Sequence, residues 1–207
     1  LHGKEVLAWT LETLSRLDFL EKIVLVLHPD DQYFSANLGT DFPDVLVVGG
    51  GEERQDSVAK GLQYLKTLAQ DDDWVLVHDA ARPCLTSTDI NKLISGLRDD
   101  AVGGILASKV KDTLKSANNS MQVVSTLNRN EHWLAATPQL FRFKVLLDAL
   151  SKAQDSGQLA TDEAAAVESL GLAVKIIEGR SDNIKITSQQ DLALAEFLLK
   201  QLGIVHA

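Results

Sequence analysis

Short, continuous apolar runs alternate along this chain with stretches of helical periodicity, and that alternation restricts the fold more than any other feature. Ile23-Val24-Leu25-Val26-Leu27 stops at His28-Pro29-Asp30, Val45-Leu46-Val47-Val48 stops at Gly49-Gly50-Gly51, and Trp74-Val75-Leu76-Val77 stops at His78-Asp79. Runs of this kind, bounded by turn residues, read as strands buried on both faces. Between them, Val6, Leu7, Leu11, Leu14 and Leu17 recur at helical spacing, and a second helix is expected over 56–68. Strand and helix in succession imply an α/β fold, a mostly parallel sheet with helices on both sides and right-handed connections. Further strands are expected at 103–107 and 173–177, and helices at 141–150 and 192–202, the last opened by a capping box of Ser188 and Asp191. From 109 to 133 the pattern changes. Val110-Lys111-Asp112-Thr113 and Val123-Val124-Ser125-Thr126 flank a polar tip at 117–120, which predicts a β-hairpin standing off the sheet.

Composition narrows the class. A chain of 207 residues fits one compact domain. A net charge of −9 repels a phosphate backbone, so nucleic acid is not an expected partner. An anionic substrate would need basic residues gathered locally. Cys84 is the only cysteine, which excludes an internal disulfide and a thiolate zinc cluster and fits a reducing cytoplasm. No apolar run is long enough to span a bilayer and no signal peptide opens the chain, so no membrane is expected.

In an open parallel sheet, ligands gather where the strands end, and three segments fall there. Gly49-Gly50-Gly51-Glu52-Glu53-Arg54-Gln55-Asp56-Ser57 has neither a Walker lysine nor a dinucleotide fingerprint. Read plainly it is a strand-to-helix turn, with Ser57 either a ligand contact or a helix cap. In Val77-His78-Asp79-Ala80-Ala81-Arg82-Pro83, Asp79 is placed to hold magnesium through one carboxylate oxygen. Ala80 and Ala81 leave room for a ligand, and Arg82 either grips phosphate or fixes a loop. The plainer alternative is an Asp–Arg pair stiffening a turn; His78 is read as packing or as an orienting hydrogen bond. In Asp182-Asn183-Ile184-Lys185-Ile186-Thr187, alternation within a strand turns Lys185 away from its apolar neighbours. It faces either a cleft, where it would stabilise charge on a phosphoryl group, or solvent. Thr137-Pro138-Gln139 and Thr161-Asp162-Glu163 are weaker candidates, Thr161 being first of all a helix cap. Asp71-Asp72-Asp73 reads as a solvated loop.

Taken in order, the segments 50–57, 77–83, 136–139, 161–164 and 182–187 resemble the 2-C-methyl-D-erythritol 4-phosphate cytidylyltransferase family of the non-mevalonate isoprenoid pathway. The resemblance implies a Rossmann-like nucleotidyltransferase domain over 1–207, with 109–133 as a dimerisation arm. It implies a homodimer, CTP and methylerythritol phosphate as substrates, Mg2+ as cofactor, and in-line attack on the α-phosphorus with release of pyrophosphate. Gly51, Glu52 and Ser57 would then hold cytosine and ribose, with Asp79 and Ala80 on the ribose and metal-phosphate side. Arg82, Thr137, Thr161 and Lys185 would line the alcohol-phosphate site, and Thr113 and Arg129 on the arm would complete the partner's site. Lys185 and Asp79 are the expected catalytic residues. Two departures stand out: the family's glycine-rich triphosphate loop is expected upstream of Leu1, and Glu52 stands where some members carry aspartate. Ribitol 5-phosphate cytidylyltransferase and a non-catalytic nucleotide-binding dimer are the alternatives.

Overall fold

A computed structural model describes residues 1–204. In chain order the strands are β1 (Ile23–Leu27), β2 (Val45–Gly49), β3 (Trp74–Val77), β4 (Gly103–Lys109), β5 (Lys115–Ala117), β6 (Val123–Thr126), β7 (Trp133–Arg142) and β8 (Lys175–Glu178). The helices are α1 (Val6–Ser15), α2 (Tyr33–Asn37), α3 (Arg54–Leu65), α4 (Ser87–Leu97), α5 (Phe143–Asp155), α6 (Glu163–Glu168) and α7 (Gln189–Gln201). β1 and β2 pair in parallel, and a four-stranded sheet has the order β3-β7-β4-β8. β4 and β8 are parallel, and both β3 and β4 lie antiparallel to β7. No described helix is long and apolar enough to cross a membrane.

β4 shows why helices cover both faces. Successive strand residues point to opposite sides. Ile105 and Ala107 pack with Ala59 and Leu62 of α3, Leu146 and Leu150 of α5 and Val167 of α6. Leu106 turns the other way, to Leu93 and Leu97 of α4 and to Leu140.

β7 departs from the sequence expectation, which placed a helix from 141 and no strand before it. The run Leu134-Ala135-Ala136-Thr137-Pro138 carries little β propensity, and proline argues against a central strand. The structure resolves the conflict with a bulge. Gln139 pairs with Ile105 and Ala136 with Leu106, so Thr137 and Pro138 have no partner on β4. Proline, which has no N–H to offer a ladder, sits at the interruption.

Other boundaries move for local reasons. α3 opens at Arg54 because Glu53 and Asp56 form its capping box, so Ser57 is not the cap. α6 is capped by Asp162, whose side chain accepts from the Ala165 N–H, not by Thr161. α4 was not anticipated, although Thr86 and Asp89 form a capping box ahead of Ile90, Leu93 and Leu97. The arm pairs Lys115 with Thr126, which moves its first strand from 110–113 to 115–117. The Asn118 side chain sets that turn by accepting from the N–H groups of Ser120 and Gln122. Segment 184–186 is irregular and not a strand. The capping box of Ser188 and Asp191 on α7 forms as read from the sequence.

Phe141 is fully buried between α3 and α5. Phe141→Ala is expected to lower the unfolding free energy by about 3–5 kcal/mol, read from a shifted urea midpoint at constant slope. Gly103 has φ 137°, and a Cβ there would lie 2.3 Å from the Leu140 carbonyl oxygen. Gly103→Ala is therefore expected to destabilise the sheet in the same assay.

Candidate active site

A cleft of about 220 Å³ lies at the carboxyl end of β3, with Arg54, Asp79, Arg82, Thr137, Thr161 and Lys185 among its lining residues. They arrive on five separate segments. Arg54 is the first residue of α3, Asp79 and Arg82 come from the turn after β3, and Thr137 stands at the β7 bulge. Thr161 precedes α6, and Lys185 comes from the segment before α7. Two loops distant in sequence are stitched together here. The Ile186 N–H donates to the Ala81 carbonyl at 2.8 Å, and Arg82 Nη1 donates to the Asn183 carbonyl at 2.7 Å. Asn183 Nδ2, itself buried, donates to the Thr137 carbonyl at 2.8 Å. Arg180 fastens the far end of the second loop by donating to the Cys84 carbonyl and to Asp182.

Asp79 is the electrostatic centre. Its Oδ1 accepts from Arg54 Nε at 2.9 Å, and its Oδ2 lies 3.1 Å from Lys185 Nζ. Arg82 Nε is 3.5 Å from Oδ2, an ion pair without hydrogen-bond geometry. Burial alone would raise the pKa of Asp79, but Arg54 and Lys185 outweigh it and hold the carboxyl below the usual carboxylate range. The guanidinium of Arg82 is committed to Asn183 and Asp79, which ties it to loop fixation. Lys185 is 42% exposed. Ile184 and Ile186 pack with Trp9, Cys84 and Leu199, so the alternation that turns Lys185 into the cleft persists without a strand ladder.

The proline-containing motif contributes through Gln139. Its Nε2 donates to Asp162 Oδ2 at 2.9 Å, and its Oε1 accepts from the Ala164 N–H at 2.9 Å. One buried amide thereby locks the start of α6, with Thr161 and Glu163, onto the central strand.

Gly51, Glu52, Ser57 and Ala80 are not among the cleft's lining residues. The Gly51 N–H donates to Ser57 Oγ at 3.1 Å, and a Cβ on Gly51 would fall 2.3 Å from Cβ of Asp56. The first turn of α3 is thus enough to require glycine there. The Ala80 carbonyl accepts from Thr10 Oγ1. Thr113 and Arg129 also lie outside the cleft; Arg129 lines a second cleft of about 530 Å³ with Lys109, Lys111 and Glu178. The sequence reading missed Arg54 and Glu163 as site residues. Arg54 Nη1 and Nη2 donate to Glu163 Oε1 and Oε2 at 2.6 and 3.0 Å, and Glu163 is only 1% exposed. A signal was present: a cation at the first helical position opposes the helix dipole, a local conflict that calls for a partner.

Among the described residues no group of three or more His, Cys, Asp or Glu could cage a metal. Magnesium rarely needs one, since one or two carboxylates and the substrate's phosphates suffice. Asp79 offers such a carboxylate, so the residues fit a magnesium ion that arrives with a triphosphate.

Comparison with known proteins identifies the family. The profile of the family described as "IspD: 2-C-methyl-D-erythritol 4-phosphate cytidylyltransferase" matches residues 1–201. A protein of that name from Vibrio vulnificus (strain CMCP6) is 45% identical over 201 residues, which cover 97% of this chain and 85% of the relative. A crystal structure of a 4-diphosphocytidyl-2C-methyl-D-erythritol synthase superposes with a TM-score of 0.85 at 39% identity, over 95% of this chain and 90% of the other. The 2-C-methyl-D-erythritol 4-phosphate cytidylyltransferase of Thermus thermophilus gives a TM-score of 0.80 at 29% identity, over 96% of this chain and 90% of the other.

A chain of hydrogen bonds holds Asp79 in place from behind. The Asp79 N–H donates to Thr137 Oγ1 at 3.0 Å, and Thr137 Oγ1 lies 3.1 Å from His78 Nδ1. His78 Nε2 lies 3.2 Å from the Arg82 carbonyl, which can only accept. The proton therefore sits on Nε2, and Nδ1 accepts from the threonine hydroxyl. Burial pushes the His78 pKa down to about 4 from 6.5. The folded state binds fewer protons at His78 than the unfolded chain, so this contribution is intact above pH 6.5 and is lost as pH falls towards 4. His78→Asn keeps an acceptor for Thr137 but cannot titrate. The wild type's urea midpoint is expected to fall relative to that variant between pH 7 and 4; parallel curves would contradict the assignment.

Proposed function

The chain belongs to the 2-C-methyl-D-erythritol 4-phosphate cytidylyltransferase family, and we propose that Asp79 and Lys185 carry the family's reaction in the cleft after β3. The chain is a CTP-dependent nucleotidyltransferase. In the proposed mechanism the phosphate of methylerythritol phosphate attacks the α-phosphorus of CTP in line. A phosphorus–oxygen bond forms to the alcohol phosphate, the bond to the β-phosphate oxygen breaks, and pyrophosphate leaves with its electron pair. The products are 4-diphosphocytidyl-2-C-methyl-D-erythritol and pyrophosphate, and positioning with charge neutralisation supplies the rate. The observation that carries this reading is the meeting of Lys185 Nζ with Asp79 Oδ2 at 3.1 Å in an accessible, cation-rich cleft.

Lys185 is proposed to stabilise charge on the pentacoordinate phosphorus, and Asp79 to orient Lys185 while facing the ribose and metal side. Arg82 keeps both loops in register, the hydroxyl of Thr161 is available to the alcohol phosphate, and Thr137, whose own hydroxyl is committed to His78 and the Asp79 N–H, lines that site and holds Asp79. Gly51, Glu52, Ser57 and Ala80 are assigned to the cytidine end. Magnesium, held by Asp79 and the triphosphate, would neutralise phosphate charge.

A homodimer is proposed through the arm. Met121, Val123 and Val124 on it are 87%, 63% and 66% exposed, an apolar surface a second copy would cover. Thr113 and Arg129, which do not line their own chain's cleft, would then serve the partner's substrate. Cys84, buried and with no second thiol, suits a cytoplasmic enzyme.

Lys185→Ala is expected to cut pyrophosphate release by roughly 10²–10³-fold with little change in the thermal midpoint; unchanged turnover would remove Lys185 from the mechanism. Arg129→Ala is expected to raise KM for methylerythritol phosphate more than KM for CTP. An equal rise in both would argue against its place at the partner's alcohol-phosphate site.

A further inference from the structure

The Arg54 guanidinium joins two carboxylates of different kinds. Glu163 is 1% exposed, sits in the first turn of α6 and takes both terminal nitrogens, Nη1 and Nη2. Only Nε reaches Asp79, and it bonds Oδ1 alone. Each terminal nitrogen keeps a second N–H, so position and not donor count limits the contact: with Nη1 and Nη2 turned end-on to Glu163, only Nε comes within hydrogen-bonding distance of Asp79. The Glu163 end is rigid, because Gln139 ties α6 to β7 through Asp162 and the Ala164 N–H.

We infer that Glu163 is a positioning residue for the transfer reaction: by anchoring the fork of Arg54 it holds that arginine where it reaches one oxygen of Asp79 and leaves the other to Lys185. Without Glu163 the fork is free to close on Asp79 and take both oxygens, including the one 3.1 Å from Lys185 Nζ. Glu163 contacts neither Asp79 nor Lys185 directly; its influence passes through Arg54. The inference rests on the reading that Asp79 and Lys185 act on the bound substrates.

A double-mutant cycle on the full-length enzyme tests this, with CTP, methylerythritol phosphate and magnesium supplied and pyrophosphate release measured. Glu163→Gln keeps the shape and removes the charge. It is expected to lower kcat by about tenfold or more while moving each KM by less than about twofold. In an Asp79→Asn background the same change is expected to alter kcat by less than about twofold, because the group it acts on has already been disabled. An unchanged kcat, a loss carried by KM alone, or the same factor in both backgrounds overturns the inference; the last is the signature of a structural role. Arg54→Lys, which keeps the charge on a partly exposed residue but has no fork, is expected to give the same pattern. It decides the matter if Glu163→Gln does not fold, since full turnover in Arg54→Lys overturns the inference. Full turnover in Asp79→Asn alone would instead remove the proposed role of Asp79, a different failure with its own readout.

Discussion

One carboxylate, placed where burial favours its neutral form, organises the cleft. Asp79 stays ionised because Arg54 and Lys185 converge on it from separate elements, with Arg82 alongside from its own turn. The dependence is mutual: like charges held this close repel one another unless an anion stands between them. Removing the carboxylate would leave the cations to repel one another, and removing the cations would favour a protonated acid. The protein thereby gathers three cations around one cleft while its overall charge is −9. Local placement, and not net charge, decides what such a surface can bind.

The scaffold behind this cluster is the bulge in β7. Two residues that find no partner on β4 let Thr137 turn to the Asp79 backbone and its carbonyl accept from Asn183. Two residues further on, Gln139 grips the start of α6. A regular strand would have committed the Thr137 carbonyl to a neighbour. The interruption frees that carbonyl for Asn183, side chains from either side of it fix the turn after β3 and the start of α6, and helices pack on both faces of the sheet. This is the arrangement expected of a site whose catalysis depends on precise placement.

Much of this was readable in the chain. The strands at 23–27, 45–48 and 74–77 were evident from apolar runs and turn residues, and the ordered motifs pointed to the family. What escaped was governed by distant partners. β7 looked unlike a strand because its alanines and proline are poor strand formers, and only the antiparallel neighbours β3 and β4 make it one. Lys185 was assigned to a strand because its isoleucine neighbours alternate correctly, yet those side chains bury against α7 without a ladder. The segment around Gly51 reads as a strand-to-helix turn, but that the atom requiring glycine there belongs to Asp56 is visible only in the structure.

By itself the sequence determined the alternation of strand and helix, the helix caps and the inventory of charged groups in its motifs. These are properties of neighbours within a few residues, governed by local dihedral preference and periodic burial. Only the tertiary structure decided that Arg54, Asp79, Glu163 and Lys185 form one network, and that Glu163 takes the fork of Arg54 while Asp79 takes its remaining nitrogen. The physical reason is that ion pairing depends on separation and direction in space. Residues 109 positions apart, as Arg54 and Glu163 are, acquire both only when the sheet and its bulge have brought their elements together.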